Sequence, residues 1–190
     1  MSVDELPVYE SLKEIAEYHC PRFSELPPIS LYMDQLVEIL DKYLEIFNIP
    51  GEEVAITSTM VNNYVKQKLI VPPENKRYSK EQLARLLVVG ILKQVLSISD
   101  IAMLLELQID KYTAEVAYDF FCTELENSLK ATFETRDFSA ENSATVNTPL
   151  SEVIRSALLS FANKIYVKKN LHLKREQEKL LHNNGEEQKA

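Results

Sequence analysis

The stretch TSTMVNNYVKQKLIVPPENKRYSKEQLARL, Thr57–Leu86, decides how the chain is read. Thr57 carries a hydroxyl that can cap a helix, and Ile56 and Val61 take the N′ and N4 positions of a hydrophobic staple around it. The run from Ser58 to about Lys68 puts Val61, Tyr64 and Val65 on one side of a helix. Thr59, Asn62, Asn63 and Lys66 fall on the other, at spacings of three and four. Leu69, Ile70 and Val71 are extended-type residues that lead out of the helix into Pro72-Pro73. Lys76, Arg77 and Tyr78 complete a loop-and-strand excursion too small to be a domain. Ser79-Lys80-Glu81-Gln82 is a capping box that opens a strongly apolar helix. Its stripe is Leu83, Leu86, Leu87, Ile91, Leu92, Val95 and Leu96, and Val88 and Val89 widen it, so this helix is expected at the centre of the core.

Working outward, almost every segment reads as helix. Upstream, Val8–Cys20 carries Leu12, Ile15, Ala16 and Tyr9 on one side and stops before Pro21. After Pro27 and Pro28, a helix from about Ser30 to Phe47 shows Met33, Leu36, Val37, Leu40, Leu44 and Phe47 at helical spacing. Asn48, Pro50 and Gly51 end it with turn chemistry. Downstream, Ser97 or Ser99 starts a short helix through Asp100, Ile101, Leu104 and Leu105. A longer one follows from about Asp110 to Ala131, with Val116, Ala117, Phe120, Phe121, Leu125 and Leu129 expected inward. Thr132–Thr148 is polar and aperiodic, a loop or linker. Thr148 then caps a last helix with Pro149 at its first position and Leu150, Val153, Ile154, Ala157, Leu158, Phe161 and Ile165 along its stripe. That stripe fades beyond Leu171, where Lys168, Lys169, Lys174 and Arg175 cluster, and Asn183–Ala190 is expected to be a disordered tail. The expectation is an all-α protein with one small β excursion.

Composition excludes several classes. The 190 residues include only three glycines, and neither GxGxxG nor GxxxxGK[ST] occurs, so no Gly-rich phosphate cradle is present. Cys20 and Cys122 lie far apart with no CxxC, against a disulfide framework or a zinc cage. His19, His172 and His182 are scattered over the ends of the chain. His19 beside Cys20 is no nucleophile pair, because helix neighbours point about 100° apart, and Glu52-Glu53 has no partner base in view. No catalytic constellation, metal site or cofactor site is expected. No apolar run approaches about 18 residues, and Met1–Glu10 bears Asp4 and Glu5 where a signal peptide carries bases. The expected compartment is the cytosol.

Charge is uneven. The net is −8, yet Thr57–Gln94 holds Lys66, Lys68, Lys76, Arg77, Lys80, Arg85 and Lys93 against Glu74 and Glu81. Seven bases against two acids make this stretch +5 and leave −13 for the rest. Only charges within about 8–10 Å act strongly at physiological salt, so the island matters more to a polyanion than the total does.

Thr57–Glu106 resembles the DNA-binding half of MerR-type regulators, a winged helix-turn-helix. The corresponding stretches are Asn62-Asn63-Tyr64, Lys68-Leu69-Ile70 with Pro72, Lys76-Arg77-Tyr78-Ser79, Leu83-Ala84-Arg85-Leu86 and Leu96-Ser97-Ile98-Ser99-Asp100-Ile101. Thr57–Ile101, with MVNNYVKQ and KRYSKEQLARL, is closer still to the bacterial domain-of-unknown-function family 1836. The likeness reaches across about Pro28–Glu106. It departs from the MerR pattern at Asn62, where a basic residue stands, at Lys68, where the helix exit has Gly, and along the longer, acidic connection Asn48–Ile56. The resemblance implies a winged helix-turn-helix over 30–106 with a small β wing, and the helical pattern outside it adds an extension over 1–29, a dimerisation or effector region over 107–182 and a tail over 183–190. It implies a bacterial transcriptional regulator binding double-stranded DNA as a homodimer.

The residues expected to meet DNA are Thr59, Asn62, Asn63, Lys66, Lys76 and Arg77. An Asn amide can pair bidentately with adenine N6 and N7 in the major groove, while Lys76 and Arg77 would hold flanking phosphates. Tyr64 and Tyr78 are expected in the core, and Lys168–Arg175 is either a second anionic contact or a solvated helix end. The alternative is a protein–protein interaction module on a winged-helix scaffold, favoured by the acidic total and by Asn62. An unknown effector or protein partner fits either reading.

Overall fold

The computed structural model describes residues 8–51, 55–109, 111–140 and 143–187. Asp4, Glu5, Glu52, Glu53, Asp110 and residues 188–190 of the expected tail lie outside the described residues, as do the side chains of Tyr9 and His182. Seven α-helices follow in order: α1 Val8–Ala16, α2 Met33–Leu44, α3 Ser58–Lys66, α4 Lys80–Leu92, α5 Ile98–Ile109, α6 Ala114–Lys130 and α7 Pro149–Glu187. Among the described residues there is no β-strand, so the expected β wing is absent as a strand pair. In its place are single antiparallel bridges, Glu74 to Arg77 and Leu31 to Tyr78. Pro72 and Pro73 explain the difference: without N–H groups they cannot extend a ladder beyond Glu74.

Buried on nearly every side, α4 is the centre. Leu83, Ala84 and the run Leu86–Leu92 are all buried, as expected of a helix with so wide a stripe. Ser79 starts it as the capping box requires, its N–H donating to Gln82 Oε1 at 2.6 Å. Around α4 pack α2, α6 and α7, while α6 lies along α7 and also covers α1. Phe47, in the 3-10 turn Glu45–Phe47 that follows α2, meets Phe161 of α7 edge-on at 5.2 Å and Tyr18 at 4.9 Å. Gly90 is where elements approach most closely, since a Cβ there would sit 2.9 Å from Ile56 Cδ1 and 3.0 Å from Leu44 Cδ1.

Several boundaries shift for identifiable reasons. Helix α1 stops at Ala16, short of Cys20, and in the segment beyond it two N–H groups are taken by carboxylates of α6: Cys20 by Glu126 at 2.9 Å, Phe23 by Asp119 at 2.6 Å. Helix α2 begins only at Met33 because Leu31 is committed to Tyr78, with reciprocal N–H to carbonyl bonds of 2.9 and 2.8 Å. Of the two serines, Ser97 caps α5, its Oγ accepting from Asp100 N–H at 3.2 Å. Thr113 caps α6, accepting from Val116 N–H at 3.3 Å. The inward face of α6 is Tyr118, Phe121, Cys122, Leu125 and Leu129, which leaves Val116 55% exposed against expectation. The loop expected from Thr132 starts later: a wide turn over Ala131–Thr135 ends at Arg136, whose φ is 56°. Thr148 caps α7, accepting from Ser151 N–H at 3.1 Å, and the helix continues through 183–187, five residues of the expected tail. No proline interrupts it there, and Gly185 alone costs only about 1 kcal/mol.

Candidate nucleic-acid interface

The polar face of α3 is built by its buried one. Ile56 and Val61 are fully inaccessible and Tyr64 nearly so, which fixes the helix's rotation against the core. Thr57 accepts from Met60 N–H at 3.3 Å and fixes its start. On the side this leaves to solvent stand Thr59, Asn62, Asn63 and Lys66, all exposed. The exit is a Schellman turn. Leu69 N–H donates to Tyr64 O at 2.9 Å and Lys68 N–H to Val65 O at 3.0 Å, with Lys68 at φ 60° in the left-handed region that favours glycine. Lys68, the residue standing where the resemblance has Gly, therefore adopts the glycine conformation.

The excursion that follows is a two-residue reverse turn. Asn75 and Lys76 have φ of 48° and 63°, closing the pair in which Arg77 N–H donates to Glu74 O at 2.8 Å and Glu74 N–H to Arg77 O at 3.1 Å. Positive φ at both central residues is the primed geometry whose twist suits a tight hairpin, and Asn tolerates it well. Lys76 thus projects at the tip. Arg77 is exposed but already engaged: its Nη2 donates to Tyr32 Oη at 2.8 Å and its guanidinium carbon lies 4.6 Å over the Tyr32 ring. Tyr78 is buried and bridges to Leu31, and burial pushes its phenol, like that of Tyr64, above the usual range.

The seven bases of the island do not form one ridge. Lys80 lies 4.6 Å over the Phe23 ring. Lys93 is half-buried, donating to Ala55 O and, at 3.4 Å, to Met60 Sδ, and burial pulls its ammonium below the usual range. Arg85 is half-buried as well. Lys66, Lys68, Lys76 and Arg77 remain exposed, with Glu74 and Glu81 exposed among them. The C-terminal cluster is likewise partly used, since Lys169 Nζ donates to Asn48 O at 2.6 Å and loses its proton more readily through burial.

Away from α3, the fold joins residues that local spacing kept separate. Arg22 forks onto Glu126 of α6 at 2.7 and 2.6 Å, and His19 Nε2 reaches Glu25 at 2.8 Å. Cys20 and Cys122, 102 positions apart, are buried free thiols with sulfurs 3.2 Å apart. The hydrogen bond with the Cys122 thiol, and then burial, push the Cys20 thiol up, the opposite of what a thiolate nucleophile needs. The only sequence signal for these contacts was the clustering of acids on one side of α6, at Asp119 and Glu126. Among the described residues no three His, Cys, Asp or Glu side chains converge as metal ligands would, and no helix is long and apolar enough to cross a membrane.

A family model described as Domain of unknown function (DUF1836) matches residues 21–121. That span takes in α2–α5, the reverse turn and the first half of α6, slightly more than half of the chain. No curated protein and no solved structure matches.

Proposed function

The chain belongs to the domain-of-unknown-function family 1836, and from that premise we propose that it is a non-enzymatic regulator of the MerR-like winged helix-turn-helix kind, which binds double-stranded DNA. The observation that carries this reading is the exposed quartet Thr59, Asn62, Asn63 and Lys66, on a helix whose opposite face is locked into the core. In the proposed complex α3 enters the major groove, where Asn62 and Asn63 read adenine edges. Lys76, at the tip of its turn, holds a flanking phosphate. Arg77 uses the donors left over from Tyr32, and Lys66 and Lys68 flank the helix end. Four exposed cations make a weak module, so a homodimer on two half-sites about 34–36 Å apart is proposed.

A titration with mixed duplex DNA tests this. Four phosphate contacts per protomer give a slope of about −3.6 in log K against log salt, doubled in a dimer. Lys76→Ala reduces the slope by about 0.9 per protomer. No binding at about 50 mM salt, or a slope unchanged by Lys76→Ala, overturns the reading. A second reading, a protein-interaction module, rests on exposed apolar side chains on either side of the α5–α6 connection: Met103 and Leu107, four apart on α5, with Tyr112 just before α6 and Val116 in its first turn. It predicts that Leu107→Lys lowers self-association, measured by sedimentation, whether or not DNA is bound.

A further inference from the structure

A cavity of about 430 Å³ opens between α4, α5, α6 and the first turns of α7, a volume typical of small-molecule sites. Its walls are mostly apolar: Val88 and Leu92 from α4, Leu104 from α5, Ala117 and Phe121 from α6, and Ile154 from α7. Glu81, Gln82 and Arg85 add polar groups; the Gln82 amide is spent, accepting from Ser79 N–H and donating to Val71 O, each at 2.6 Å. Arg85 lines the same cavity half-buried, and its single hydrogen bond among the described residues is a long one, Nη1 to Leu69 O at 3.4 Å. No described carboxylate lies within 4.0 Å of its guanidinium. Glu81, one turn earlier at the rim, is exposed and turned elsewhere, its carboxyl held low by the Ser79 hydroxyl and by its own backbone N–H.

A guanidinium cannot relieve its burial by losing a proton, and an unpaired charge at an apolar wall is costly. A fork of free donors matches a carboxylate bidentately. The neighbouring apolar volume matches a hydrocarbon or aryl body, and exposed Val71 and Tyr112 make the mouth apolar too. We propose that this cavity binds a small amphipathic carboxylate, its carboxylate paired with Arg85 and its apolar body lying between α4, α5 and α6. The site stands on the cavity and Arg85 alone and holds whether or not the chain binds DNA.

Calorimetric titration of the full chain tests the site with three probes of equal length: decanoate, decan-1-ol and decylammonium. The expected result is one decanoate per chain, bound at least tenfold more tightly than decan-1-ol, with decylammonium unbound. Arg85→Gln should cost decanoate about tenfold or more and leave decan-1-ol unchanged, while Arg85→Lys, which keeps the charge but not the fork, loses less. Ala117→Phe fills the cavity from α6 and abolishes binding of both, with melting curves showing that each variant folds. Equal affinity for acid and alcohol overturns the proposal. So does decanoate affinity that survives Arg85→Gln, several equivalents insensitive to Ala117→Phe, or no binding of any probe.

Discussion

Lys68, like Asn75, Lys76 and Arg136, holds a positive φ that L side chains rarely adopt. A β-carbon in the left-handed region costs roughly 1–2 kcal/mol, and glycine avoids that cost while losing some chain entropy on folding. Because Lys68 is exposed and only its backbone completes the Schellman turn, Lys68→Gly is expected to stabilise the protein by about 1 kcal/mol, read from chemical denaturation. At the other end of the domain, Glu126 links the segment after α1 to α6. Burial raises its carboxyl, but the Arg22 fork and Cys20 N–H outweigh this and hold it below the usual range. A carboxyl depressed in the fold contributes stability above its unfolded value, about 4.3, and loses it as pH falls through the folded value. Glu126→Gln should therefore cost about 2 kcal/mol at pH 7 and make the decline of Tm between about pH 5 and 3 shallower than in the parent.

At the scale of elements, what the sequence makes legible follows from how local the signal is. The α3 and α4 caps are side-chain-to-backbone bonds three residues apart, so Thr57 and Ser79 reveal them directly. The exposed face of α3 is equally legible, since Val61 and Tyr64 set its rotation. Boundaries fixed by distant partners are not: nothing near Leu31 announces Tyr78, and nothing near Cys20 announces Glu126. The face of α6 misleads because α6 is covered on several sides, so Tyr118 turns in while Val116 stays out. Gly90 was hidden for a similar reason, as one small residue inside an apolar run. There Gly90→Ala gains about 1 kcal/mol of helix propensity, but its Cβ meets Ile56 and Leu44, both fully buried. Overpacking costs about 1–3 kcal/mol, so a net destabilisation of about 1 kcal/mol is expected in denaturant melts.

Over the whole molecule, charge and shape part company with the arithmetic of the chain. The +5 island is a property of sequence; in space Lys80, Arg85 and Lys93 turn to a ring, a cavity wall and a carbonyl, and four cations are left outward. Helix α7 shows the same separation along its length. Its first half is core, carrying Ile154, Leu158, Phe161 and Ile165, and Lys164 and Lys169 fasten it to the carbonyls of Gln94 and Asn48. Leu173 is the last side chain described on α7 that packs against this core. Beyond it, contacts such as Lys179 with Glu176 are solvent-exposed pairs within the helix, a kind that contributes little. Ending the chain after Lys174 should therefore leave Tm within about 2 °C while the helical signal in circular dichroism falls by the turns removed. A drop of 10 °C or more would mean that the outer half of α7 is held by a partner surface, such as a second copy, and would place the dimer contact there.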